Sequence, residues 1–173
     1  TDAMAAAGMA EAAERYLRLK TAARLLQWSM ERFRQTRQGP MLARASEIFQ
    51  ALTLGSFSRL LVDADSHDSP RLVSIRTDGN KPVEVPGLSE GTRDQLYLAL
   101  RLAALDQQAS QGSRMPLIAD DLFINFDDRR TEAGLQVLGD VSRRMQVILL
   151  THHDHLVPLA RQVLGDGLNV IEL

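Results

Sequence analysis

Two short segments place ionisable side chains at the ends of apolar runs. Asp120 and Asp121 follow Leu117-Ile118-Ala119, and Thr151-His152-His153-Asp154-His155 follows Val147-Ile148-Leu149-Leu150. Such runs read as strands of a parallel sheet buried on both faces. Open parallel sheets bind ligands beyond the carboxyl ends of their strands. A carboxylate there can hold a magnesium ion facing a phosphate, and a second beside it can orient or deprotonate a water. An imidazole at a neighbouring strand end can donate to a phosphate oxygen. A third segment, Leu88-Ser89-Glu90-Gly91-Thr92, opens a leucine-rich stretch. Ser89 suits a helix N-cap. A helix N-terminus where Gly91 permits close backbone approach suits an anion. Each segment also has a plain structural reading: hydrated carboxylates and histidines at a loop edge, and an ordinary capping serine.

The elements that would carry these residues follow from periodicity. Tyr16, Leu19, Ala23, Leu26, Met30 and Phe33 recur at spacings of three and four, which predicts a long helix with a coiled-coil-like seam. Gln38-Gly39-Pro40 stops or bends it, and a second helix is expected over about 41–54. From residue 57 the period shortens. Arg59–Val62, Arg71–Arg76 and the weaker Val83–Val85 read as strands, joined by turns at Asp65–Pro70 and Asp78–Asn80. The leucine-rich stretch after Ser89 predicts a largely buried helix to about Ala109. Strands at Met115–Ala119 and Val147–Leu150 are each followed by a helical pattern, over about 128–143 and 154–164. Leu168–Leu173 reads as a last strand. The alternation predicts an α/β domain whose parallel strands are linked by crossover helices. The division expected is a helical segment over 1–54 and an α/β lobe over 55–173.

Three ordered motifs carry a family resemblance. Leu88–Ala103 resembles the ABC-type signature motif and its following helix. Pro116–Arg130 resembles a Walker B strand running into a D-loop, and Val147–His153 resembles the switch-histidine strand. The set is similar to the C-terminal lobe of an SMC/RecF/SbcC-type ATPase head, a partial P-loop NTPase lobe preceded by a coiled-coil helix. The wording Gly91–Arg101 resembles that of YhaN-like proteins, bacterial ATPases with long coiled coils. The resemblance covers about 57–173. It implies that Asp120 acts on Mg2+ and that Asp121 stands where the family has a glutamate positioning the attacking water. It implies that Ser89 and Gly91 contact the γ-phosphate of ATP on an opposing subunit, and that Asp127 works across the dimer interface. His153, which precedes Asp154, and His152, which follows Thr151, both fit the switch position. Three departures stand out. Glu90 replaces a glycine, Thr92 replaces a glutamine or glutamate, and Asp121 is one methylene shorter than glutamate.

A Walker A loop requires Gly-x-x-x-x-Gly-Lys-Ser/Thr. The chain holds two lysines, Lys20 and Lys81, and neither lies in that setting. In the family the loop precedes the coiled coil. The resemblance therefore implies a C-terminal segment of a longer protein, with residues 1–54 as the returning coil and ATP used only after completion by its own N-terminal lobe. It further implies a homodimer of heads, a cytoplasmic location, and DNA repair or processing as the setting, with DNA as a partner. A scaffold that kept the lobe and lost turnover remains open, motivated by Asp121 and Glu90. So does a metal-dependent phosphohydrolase with Asp120, Asp121, Asp127, His152, His153, Asp154 and His155 as ligands.

Composition narrows the field. The chain has 173 residues and a net charge of −2, so it is not a uniformly basic nucleic-acid binder. Residues 1–54 are the exception, with eight basic and five acidic side chains. The apolar share of 45% supports a real core. The absence of cysteine excludes disulfides, thiolate metal sites and a cysteine nucleophile. No apolar run approaches the roughly 20 residues of a membrane helix.

Overall fold

The computed structural model describes residues 2–33, 39–64, 70–112 and 115–172. The chain divides into two compact units, Thr1–Pro40 and Met41–Leu173. The first is built on helix α1, Asp2–Phe33. Every described side chain from Ala13 to Met30 is exposed, the seam residues Tyr16, Leu19, Leu26 and Met30 among them. The expected break at Gln38 and the turn after Asp65 lie outside the described residues.

The second unit begins at Met41 within α2, Gly39–Leu52, where Pro40 sits in the first turn and needs no intrahelical donor. The sequence grouped this helix with α1. In the structure Ala45, Ile48, Phe49 and Leu52 of α2 are buried in the lobe core. An antiparallel sheet follows: β1 Phe57–Ala64, β2 Pro70–Arg76 and β3 Pro82–Glu84, with β2 in the middle. The third strand thus lies one residue earlier than expected, because Val85–Gly87 turns into a 3-10 segment at Pro86. The Phe57 ring packs against Phe49 with centroids 5.2 Å apart, which ties this sheet to α2.

Helix α3, Glu90–Ser110, runs through the core with Leu96, Ala99 and Leu102 fully buried. Its buried Gln95 donates Nε2 to the Leu52 carbonyl (2.9 Å), one of the acceptors left open at the end of α2. The remaining elements are β4 Leu117–Asp120, α4 Asp128–Ser142, β5 Val147–Leu150 and α5 Leu156–Leu164. Strands β4 and β5 pair in parallel, in register from Leu117↔Val147 to Asp120↔Leu150, with α4 as the crossover. The fold is α/β, as the alternation predicts.

Two expectations fail. Leu168–Glu172 forms no strand; Leu168 is extended, but Ile171 is 74% exposed and no described residue pairs with the segment. An extended segment becomes a strand only by finding a free neighbour. Nor are β4 and β5 buried on both faces. Ile118, Ile148 and Leu150 are exposed, and register places them on one face together with Asp120. The opposite face, with Ala119, Leu117, Val147 and Leu149, meets the core.

One ion-pair network joins three elements. The Asp106 carboxylate of α3, whose side chain is 11% exposed, accepts from Arg44 Nε of α2 (2.8 Å) and from Arg144 Nε and Nη2 beyond α4 (2.9 and 2.8 Å). Its hydrogen bond to Asp106 is the main reason the Arg44 guanidinium is held above its ordinary pKa. Removing the shared carboxylate takes from Arg144 its partner and leaves Arg44 with Glu47 (2.9 Å). The partners are partly exposed, so the loss falls below the 3–5 kcal/mol of a fully buried pair. Asp106→Ala is expected to lower unfolding free energy by about 2 kcal/mol in urea denaturation.

Candidate functional site

Parallel register brings the two ionisable segments together. Asp120 ends β4 opposite Leu150, and the Asp121 amide donates to the Leu150 carbonyl (2.9 Å), carrying the pairing one residue further. Asp121 then adopts φ +44°, a left-handed conformation that turns the chain away from the sheet. The turn over 122–125 follows, closed by Ile124 N to Asp121 O (3.3 Å). Phe123 anchors it: the ring is 4% exposed, packs edge-on against Phe126 at 5.5 Å, and fills the space where a Cβ on Gly134 of α4 would stand.

After β5, Thr151 Oγ1 accepts from the His153 amide (3.1 Å), which bends the chain so that both imidazoles gather at the strand end. The His152 and His153 rings lie 4.1 Å apart. His152 Nδ1 sits 2.7 Å from Asp121 Oδ2. The second Asp121 oxygen, Oδ1, and His153 Nε2 are shielded from solvent and lack a hydrogen-bond partner among the described residues. Asp121, His152 and His153 thus form one cluster whose ligand-capable atoms lie within 4.8 Å of one another. A carboxylate bonded to an imidazole through one oxygen, with the other free, can orient a water and take its proton.

The α3 N-terminus is set by Ser89, whose Oγ accepts from the Thr92 amide (3.3 Å) and shares a hydrogen bond with Thr92 Oγ1 (2.8 Å). Thr92, a departure from the family wording, is therefore a second contact on the capping serine. Ser89 and Glu90 face solvent. A Cβ on Gly91 would lie 3.4 Å from the Asn125 carbonyl, so the helix start is packed on the turn that follows Asp121. Asn125 Nδ2 donates to Asp94 Oδ2 (2.9 Å) across the same junction. Asp127 caps α4, accepting from the Arg130 amide (2.9 Å) and lying 3.5 Å from Arg130 Nε.

The structure thus gathers Asp121 with both histidines and places Asp120 beside them on the open sheet face. Ser89 and Gly91 share one helix end, joined to the 122–125 turn, and Asp127 starts the next helix. Sequence reading found the Ser89 cap but missed Asn125, Asp94 and the bond between the Ser89 and Thr92 hydroxyls. No residue type marks them; their signal is the packing of Gly91 on the Asn125 carbonyl.

Solved structures share this arrangement of elements. An SMC ATPase described for ATP-driven dimerisation and DNA-stimulated activation matches with a TM-score of 0.59 and 19% identity, over 75% of this chain and 77% of that one. The Smc head domain with coiled coil and joint from Pyrococcus yayanosii matches at 0.56 and 18% identity, over 85% of this chain and 31% of that one. The SMC head domain from Thermotoga maritima matches at 0.51 and 16%, over 80% of this chain and 45% of that one. The chain therefore has the fold of an SMC ATPase head. In sequence it is 30% identical, over 148 residues or 84% of its length, to YhaN of Bacillus subtilis (strain 168). It spans 15% of that protein's length. No protein-family model matches it.

The left-handed conformation gives a physical reason for aspartate at 121. Asp and Asn tolerate it better than longer side chains. Asp121→Asn is expected to change stability by less than about 0.5 kcal/mol, and Asp121→Glu to cost about 1 kcal/mol, both read from urea denaturation.

Proposed function

We propose that this chain is the C-terminal half of an SMC-like ATPase head. It binds and hydrolyses ATP only when completed by an N-terminal Walker A lobe and dimerised with a second head. The carrying observation is the β4–β5 pair. It sets Asp120, Asp121 and the two histidines at adjacent strand ends while leaving the Ile118–Ile148–Leu150 face uncovered. An apolar face ending in a carboxylate is what a second lobe would cover. The free edges and unpaired Leu168–Glu172 support the same reading.

In this account Asp120, exposed at the end of β4, is the carboxylate for Mg2+, and it fits that role by type and position. The cation, when bound, offsets charge on the phosphates. Asp121 orients the attacking water and accepts its proton. His152 or His153 donates to the phosphate. Ser89 and the amides of the α3 N-terminus hold the γ-phosphate of a nucleotide on the opposing head. Asp127 contacts that head. The Gly91–Asn125 packing sets the signature segment against the turn that follows Asp121. The exposed seam of α1 supports its role as a coil that pairs outside the described residues.

The setting proposed is DNA repair or processing, by analogy with the SMC ATPase whose activation is DNA-stimulated. The location proposed is cytoplasmic. No helix of the described residues is long and apolar enough to cross a membrane.

The test is ATP turnover by this chain, alone and mixed with the separately produced N-terminal lobe of its parent. Turnover is expected only in the mixture, falling at least about 100-fold with Asp121→Asn. Turnover by the chain alone, or an associated mixture that stays inactive, would overturn the proposal, the second outcome favouring a scaffold.

A further inference from the structure

The Asp121–His152–His153 cluster has a property that a water-orienting carboxylate does not require. Two imidazoles and one carboxylate offer ligand atoms within 4.8 Å of one another. Tetrahedral coordination at about 2.0 Å places neighbouring ligands about 3.3 Å apart, so small side-chain rotations would close the set. Two of its polar atoms, Asp121 Oδ1 and His153 Nε2, are shielded and unsatisfied, a costly arrangement that a ligand would relieve. The backbone is already fixed on both sides, by the Asp121 amide on Leu150 and the His153 amide on Thr151.

From these observations we infer that Asp121, His152 and His153 form a three-ligand site for a borderline divalent cation such as Zn2+, bound without nucleotide. Imidazole donors favour Zn2+, Co2+ and Ni2+ over Mg2+, which prefers an all-oxygen shell with several waters. The site is distinct from the magnesium role of Asp120, whose side chain lies outside the cluster. Three protein ligands leave one position for water or a ligand oxygen. A cation held there takes the Asp121 carboxylate and both imidazoles out of any other role. Binding is a property of this chain alone, so it is independent of whether the completed head hydrolyses ATP.

Titration of the purified chain with Co2+, followed by its visible d–d absorption, and with Zn2+, followed by calorimetry, tests the inference. One equivalent is expected to bind at micromolar or lower concentration, and millimolar Mg2+ should not displace it. His152→Ala, His153→Ala and Asp121→Ala should each weaken binding at least about 10-fold, whereas His155→Ala should leave it unchanged. Circular dichroism checks that each variant is folded, and His152→Gln and His153→Gln serve where an alanine variant is not. Absence of binding at about 100 µM Zn2+ would overturn the site. So would an affinity indifferent to both histidines, the mark of adventitious surface binding.

Discussion

A parallel pair of strands has two faces and two edges, and all must be covered or paired for the pair to be stable by itself. Here one face is covered. Leu117, Ala119, Val147 and Leu149 rest on the core made by α3, α4 and α5, while Ile118, Ile148 and Leu150 remain open. Everything else in the lobe can be understood from this half-covered sheet. Its core side is rigid and built by long helices; its open side carries Asp120. A sheet stabilised from one side can position chemistry at its strand ends and still depend on another element for the rest of a site.

The rigid side is assembled from contacts that are not sequence motifs. Asp106 gathers Arg44 and Arg144, Gln95 holds the end of α2, and Phe123 locks the turn after Asp121 onto Gly134. Through Gly91 and Asn125 the start of α3 is packed on that same turn. The two segments most concerned with phosphate in the proposed function are therefore in direct contact. This is how a loop of short turns acquires the precision that a site on rigid strands would have.

Much of this was legible beforehand, and the limits have physical causes. The strands carrying Asp120 and His152 could be found because short apolar runs ending in ionisable residues have few other uses. The helix after Ser89 was marked by leucines, Leu96 to Leu105, spread around most of its circumference. The expectation of full burial for β4 and β5 failed because hydropathy records what a strand is suited to, and Ile118 and Ile148 are apolar yet exposed. The last strand failed in a similar way: Leu168–Leu173 has strand-like residues, yet its described part pairs with no described strand. Helix α2 was grouped with the helical segment because it too reads as helix, while its packing in the lobe depends on Arg44, Phe49 and Leu52 meeting distant partners. The clustering of Asp121 with both histidines was expected from adjacent strand ends, but the left-handed turn at Asp121 was not. No residue pattern announces it when the residue is not glycine.

The central claim is that the open face of β4 and β5 is a docking face for a completing lobe. Hydrogen–deuterium exchange of this chain, alone and mixed with the N-terminal lobe of its parent, tests that most directly. The account predicts slower exchange in the mixture for the amides of Leu117–Asp120 and Val147–Leu150, with the α2 and α3 amides little changed. Equal exchange in both samples, with the two pieces shown to associate, would contradict it: the partner would then bind elsewhere, and the exposed isoleucines would need another explanation.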